Sequence, residues 1–129
     1  MNKSTPRERN RHTPILTLWV LSICVVAVYS FLPADSYLTI VLSRLNIGDK
    51  VLHFCAYVML SVLPVAGFSD RRRGIAAGLL MFALGILIEG GQYFSVGRAV
   101  EFSDVIANGA GVSCGTLLGL PIRMLIAVL

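Results

Sequence analysis

Hydrophobic residues fall into four long runs that are separated by short polar stretches. The runs cover residues 15–32, 51–68, 75–88 and 105–120. Because a membrane helix needs about 20 mostly apolar residues, this pattern predicts an all-α bundle of four transmembrane helices. The last two runs are short when cut at their polar borders. Polar residues are therefore expected inside the helices, with the third extending toward Phe94 and the fourth past Pro121.

A shorter segment, residues 36–47, lies between the first and second runs. Its apolar side chains recur at helical spacing, but it is too short to cross a membrane. One interpretation is an amphipathic helix on the outer membrane surface. A partly buried loop is the other.

The composition supports a membrane protein. Of the 129 residues, 56% are hydrophobic and 14% are charged, whereas a soluble domain carries roughly 25% charged residues. The formal net charge is +4, but the basic residues flank the apolar runs and so indicate topology rather than nucleic-acid binding. The three cysteines lie within apolar runs and show no metal-binding spacing. The sequence also lacks a metal-binding motif and a Walker sequence, so neither a metal nor a cofactor is expected.

The basic residues also predict the orientation of the helices. If the four helices cross in succession, the N-terminus, the C-terminus and the 69–74 loop share one side of the membrane, and that side carries most of the basic residues. The positive-inside rule then places both termini in the cytoplasm. The expected organisation is a basic cytoplasmic tail, residues 1–14, followed by a membrane domain, residues 15–129.

Polar side chains are concentrated at the predicted outer ends of the second, third and fourth helices. Spacings of three or four place those of each helix on one face. Ionisable groups inside a membrane are costly and usually face a partner or a water-filled cavity, so the pattern predicts an outward-facing polar pocket between these three helices. The residues concerned are Asp49, Lys50, His53, Tyr57, Glu89, Gln92, Arg98, Asp104 and Asn108.

This set of residues suits proton transfer and the binding of an anion. His53, Glu89 and Asp104 are the candidate catalytic acids and bases. Helix N-termini that point outward also favour anions. The candidate ligand-binding residues are Asp49, Lys50, Tyr57, Gln92, Arg98 and Asn108.

Structural roles offer an alternative for several of these residues. Asp49 and Asp104 stand where helix N-caps belong. Glu89 could form an ion pair with Arg98, and His53 could be a packing residue. A stripe of glycines, at residues 111, 115 and 119, continues roughly the face of Asp104 and predicts close helix packing.

Two signatures resemble those of a known family. The run DKVLHFCAYVMLSVL, residues 49–63, resembles D-K-x-x-H-F-x-x-Y. Residues 88–115 resemble E-x-x-Q, an R, and then D-x-x-x-N-x-x-G. These are signatures of the VanZ-like family of small bacterial membrane proteins, named for a teicoplanin-resistance protein. The resemblance covers about residues 48–119 and implies a multi-pass protein of the bacterial inner membrane.

The expected function combines this resemblance with the polar pocket. It is the binding or modification of an anionic envelope component, either a lipid-linked phosphate or a peptidoglycan precursor. One alternative is a non-enzymatic membrane partner or scaffold whose polar cluster fixes helix packing, and another is a small transporter subunit. The family name suggests glycopeptide resistance, but this role does not follow for the present chain. Catalysis and homo- or hetero-oligomerisation are left open.

Overall fold

The computed structural model describes residues 6–45, 48–95, 97 and 101–128, with side chains from residue 12 onward. All regular secondary structure in this part of the chain is helical. Four helices are long and apolar enough to cross a membrane, and the short second one is not. The prediction of an all-α protein with four membrane spans is therefore confirmed. The helices are α1 (Pro6–Phe31), α2 (Tyr37–Arg44), α3 (Asp49–Gly67), α4 (Arg71–Gln92) and α5 (Phe102–Val128).

The helices extend into the polar borders of the apolar runs. The helix α1 begins at Pro6, well before the apolar run, because proline suits a first helical turn and arginine and glutamate propagate a helix well. The helix α4 begins after Asp70, whose carboxylate accepts a hydrogen bond from the Arg73 backbone N–H at 2.9 Å. It continues to Gln92, so Glu89 and Gln92 share one helix.

The short segment between the first two spans forms a helix. Residues 37–44 are helical, and Ser36 is the N-cap, whose side chain accepts from the Thr39 backbone N–H. This result favours the helical interpretation of the segment over the loop. Its position at the membrane surface stays a prediction.

The long helices alternate in direction along the chain. Gly67 near the end of α3 contacts Ile15 near the start of α1, and Gly74 at the start of α4 contacts Pro64 of α3. The helix α5 runs parallel to α3, since Gly111 lies against Phe54 and the later Gly119 against Val65. The start of α1 and the end of α5 therefore lie at one end of the bundle, the Gly67 end. The starts of α3 and α5 lie at the opposite end, the Asp49 end.

The helix α3 is at the centre of the bundle and contacts α1, α4 and α5. Its Tyr57 and Leu60 form a buried core with Met81 of α4 and Val112 of α5. The indole of Trp19 in α1 donates a hydrogen bond to the Leu60 carbonyl oxygen at 2.9 Å. Many large apolar side chains on the outer faces are exposed, as expected of helices whose outer faces contact lipid.

Candidate functional site

All the predicted site residues that the structure describes lie in or near the Asp49 end of the bundle. The helix α3 contributes its first turns, α4 its last turn and α5 its first two turns. Arg98 lies outside the described residues. Asp49 and Lys50 are exposed, His53 is half-buried, and the remaining side chains are buried: Tyr57, Glu89, Gln92, Asp104 and Asn108.

A hydrogen bond between His53 and Asn108 joins α3 to α5. The His53 Nδ1 and the Asn108 Oδ1 are 2.9 Å apart, and Asn108 is only 1% exposed. When Nδ1 carries the ring proton, it donates to this amide oxygen, and Nε2 keeps a lone pair. His53 therefore makes a specific polar contact, beyond the packing role that the sequence also allowed.

Glu89 is the most deeply buried carboxylate of the site, with 1% exposure. Its Oε1 accepts a hydrogen bond from the backbone N–H of Glu101 at 3.1 Å, which joins the end of α4 to the start of α5. Its Oε2 has no hydrogen-bond partner among the described residues. The predicted ion pair with Arg98 falls outside the described residues and stays a prediction.

A small ionic cluster connects the starts of α3 and α5. The Lys50 Nζ lies 2.9 Å from Glu101 Oε2 and 3.8 Å from Asp104 Oδ1. The hydrogen bond from Lys50, followed by one from the Ser103 hydroxyl, holds the pKa of Glu101 below its usual value. Glu101 was not among the predicted site residues. Its spacing of three from Asp104 is the signal that could have identified it.

The two aspartates do not act as N-caps, which corrects the structural alternative considered for them. Asp49 is the first residue of α3, and its N-cap is Gly48, which provides no side-chain hydrogen bond. Asp104 is the third residue of α5 and is 4% exposed. Its Oδ1 has no hydrogen-bond partner within the described part of the chain. Neither residue is therefore the N-cap of its own helix.

A cavity of about 160 Å³ lies beside Asp49 and His53 at this end of the bundle. The sequence predicted a pocket between the second, third and fourth spans, but α5 contributes none of the described lining, and α1 and α2 take its place. The cause is the glycine stripe of α5, which packs directly on α3 and leaves no space there. The lining residues are Val25, Val26, Tyr29, Ser30, Leu42, Asp49, Leu52, His53, Ala56, Tyr57 and Gln92.

Gln92 ties the cavity to the first span. Its Nε2 donates to the Ser30 carbonyl oxygen at 3.2 Å, and Ser30 is itself buried. Ser30 could not have been identified from the sequence, because it is one polar residue in a long apolar run. Glu89, Asp104 and Asn108 are absent from the described lining, so His53 is the candidate acid–base residue that faces the cavity.

Three side chains of this end could hold a metal ion, although no metal site was expected. Asp49, His53 and Asp104 each offer one ligand atom, and these atoms lie within 4.8 Å of one another. The residues come from two helices that are distant in the sequence. No short spacing motif could therefore have indicated the group.

The fold and this site define a class of protein: a small four-span membrane protein with ionisable and amide side chains buried at one end of its bundle. The VanZ/LLP1 family matches residues 3–124 of the chain, and the chain belongs to this family. The resemblance based on the two signatures is thereby confirmed. Among curated proteins and among solved structures, no significant match to the chain is found.

Proposed function

We propose that this VanZ-like protein binds the polar head of an anionic envelope lipid, a lipid-linked phosphate or a peptidoglycan precursor, in the bacterial inner membrane. The observation that carries the proposal is the cavity, whose walls along α1 and α3 are apolar and which also exposes His53, Gln92 and Asp49. Ligand sites commonly combine apolar walls with a few polar groups that orient the ligand. Such a cavity suits an amphiphile, which needs apolar contacts for its chain and polar contacts for its head.

The charges at this end limit how the head group is recognised. The described carboxylates of the site are Asp49, Glu89, Glu101 and Asp104. Lys50 is the cation that contacts two of them, and Arg44 at the end of α2 is exposed on the same side of the bundle. A phosphate would therefore rely on Lys50 and, in this proposal, on Arg98. The carboxylate and amide groups suit the hydroxyl and amide donors of a peptidoglycan precursor. Any proton transfer to or from the ligand would pass through His53, because Glu89 and Asp104 do not line the cavity.

The test compares two lipids that differ in the phosphate alone. A polyprenyl phosphate and the polyprenol of the same chain length are added to purified protein, and the change in Tm is measured. We expect the phosphate lipid to raise the Tm more than the alcohol does. Equal shifts with both lipids would contradict recognition of an anionic head.

A pair of neighbouring substitutions tests whether the cavity is the binding site. Ala56 lines the cavity, whereas Cys55 is exposed on the outer face of the same helix. We expect Ala56→Leu to fill the cavity and lose the lipid-induced shift, and Cys55→Leu to keep it. If Ala56→Leu folds and responds to the lipid as the wild type does, the lipid binds elsewhere.

A structural role is the second candidate, and it rests on hydrogen bonds that link the helices. Gln92 bonds to α1, His53 bonds to Asn108 of α5, and Glu89 bonds to the start of α5. Hydrogen bonds between membrane helices average about 0.6 kcal/mol and reach about 1.7 kcal/mol. For a scaffold, Glu89→Gln should leave function nearly intact, and no lipid should shift the Tm. Catalysis would instead be lost with Glu89→Gln or His53→Gln.

A further inference from the structure

We propose that Asp49, His53 and Asp104 form a binding site for a divalent transition-metal ion, with Zn²⁺ as the best fit. One ligand atom from each lies within 4.8 Å of the other two. The set contains two carboxylate oxygens and one imidazole nitrogen. Imidazole favours Zn²⁺ over Mg²⁺ or Ca²⁺, which are bound mainly by oxygen. Three protein ligands with a fourth position for water is the usual arrangement of an open zinc site.

The state of Asp104 points independently to a cation. Its carboxylate is buried, with the residue 4% exposed, and Oδ1 has no hydrogen-bond partner in the described residues. The Lys50 Nζ is 3.8 Å from this oxygen, beyond hydrogen-bond distance, and is already bonded to Glu101 at 2.9 Å. A buried carboxylate oxygen that accepts no hydrogen bond is costly. A metal ion at this position would supply the missing partner.

The contact of His53 with Asn108 prepares the imidazole for a metal. Nδ1 is 2.9 Å from the Asn108 amide oxygen, so a proton on Nδ1 leaves the Nε2 lone pair for the ion. Histidines that bind metals almost always donate their other ring N–H to a carboxylate, a carbonyl or water, which fixes the ring. Asn108 is fully buried and therefore well placed to act as this positioning residue.

The geometry requires only a small adjustment. Ligand atoms around a tetrahedral zinc ion with bonds of 2.0–2.1 Å lie about 3.4 Å apart. The ligand atoms of the three residues all lie within 4.8 Å of one another, and Asp49 is exposed at the first residue of α3, so its side chain can move closer to the other two. The inference does not rest on the proposed lipid function, because the ion would bind without any lipid present.

The test is a zinc titration of the full chain without a polyhistidine tag, after treatment with a chelator, in detergent and without lipid. Isothermal titration gives the Kd, and mass spectrometry gives the bound zinc per chain. We expect one ion per wild-type chain and at least about tenfold weaker binding in Asp104→Asn and Asp49→Asn. Asp35→Asn is the matched control, because Asp35 is an exposed aspartate outside the group.

Asp49→Asn keeps the test decisive if Asp104→Asn fails to fold, because Asp49 is exposed. The proposal is overturned if the wild type takes up no zinc above the buffer level, or if Asp49→Asn binds as well as Asp35→Asn. Lys50→Gln removes a positive charge near the ion and should tighten binding several-fold, so weaker binding would also contradict the site. Zinc binding without a lipid-induced Tm shift would reject the lipid function alone. A lipid-induced Tm shift without zinc binding would reject the metal site alone.

Discussion

The packing of α5 on α3 can be tested by adding one carbon atom at Gly115. A Cβ at this position would lie 2.4 Å from the Val58 carbonyl oxygen, whereas ordinary contacts begin at 3.4 Å. The obstacle is helix backbone, which cannot rotate away as a side chain can. Gly115→Ala therefore requires α5 to move away from α3 by about 1 Å.

The expected loss of stability follows from two opposing terms. Forcing an extra carbon into a packed interface costs about 1–3 kcal/mol. Replacing glycine by alanine within a helix offsets about 0.5–1 kcal/mol of this cost. We expect Gly115→Ala to lower the free energy of unfolding by about 1 kcal/mol, the difference between the centres of these two ranges.

Gly90→Ala is the matched control, because Gly90 lies in α4 and a Cβ there would meet nothing within 4 Å. Alanine should therefore leave the Tm unchanged or raise it. Thermal unfolding in detergent, followed by the fluorescence of Trp19, the single tryptophan, measures both variants. An equal Tm for the wild type and Gly115→Ala, or equal losses for both variants, would refute the close α3–α5 contact.

Three further predictions concern contacts at other positions. Trp19→Phe removes the hydrogen bond to the α3 backbone and should reduce stability by about 0.5–1.5 kcal/mol, measured by circular dichroism. Arg123→Met removes the donor to the carbonyl oxygens of Val65, near the end of α3, and of Phe68 and Ser69 just after it, so its Tm should fall further than that of Arg123→Lys. Asp70 has a lowered pKa because the backbone N–H of Arg73 donates to its carboxylate. Its stabilisation is therefore present above the unfolded pKa of about 3.9, and the Tm difference between wild type and Asp70→Ala should narrow as the pH falls below this value.

Helix positions and helix faces were largely predictable from the sequence. Spacing alone determines which side chains of a helix share a face, and Glu89 and Gln92 are indeed buried together at the end of α4. The same spacing placed Asn108 in line with the glycine stripe, where the structure shows both to be buried. These features depend on helical geometry and therefore need no knowledge of the neighbouring helices.

Which helices lie next to one another was not predictable in the same way. The cavity lies against α1, where Val25, Val26 and Ser30 belong to a uniform apolar run. Such a run indicates a membrane span but does not indicate which of its faces contacts protein, because lipid and protein interiors are similarly apolar. The cavity wall includes α1 instead of the expected α5. This arrangement depends on how the helices pack together, which cannot be predicted from the spacing of apolar residues within each helix.

The parallel packing of α3 and α5 explains why this end of the bundle tolerates so many acids. It places the N-termini of two helices side by side, and their positive dipole ends lie beside Asp49 and Asp104 in the first turns. The described acids still outnumber the described basic residues of this end, Lys50 and Arg44, so a phosphate would bind more tightly with a further positive charge. A bound divalent ion would offset two of these negative charges and would offer a phosphate oxygen a ligand position. If both proposals hold, a chelator should reduce the Tm shift caused by polyprenyl phosphate toward the shift caused by polyprenol, which should itself stay unchanged.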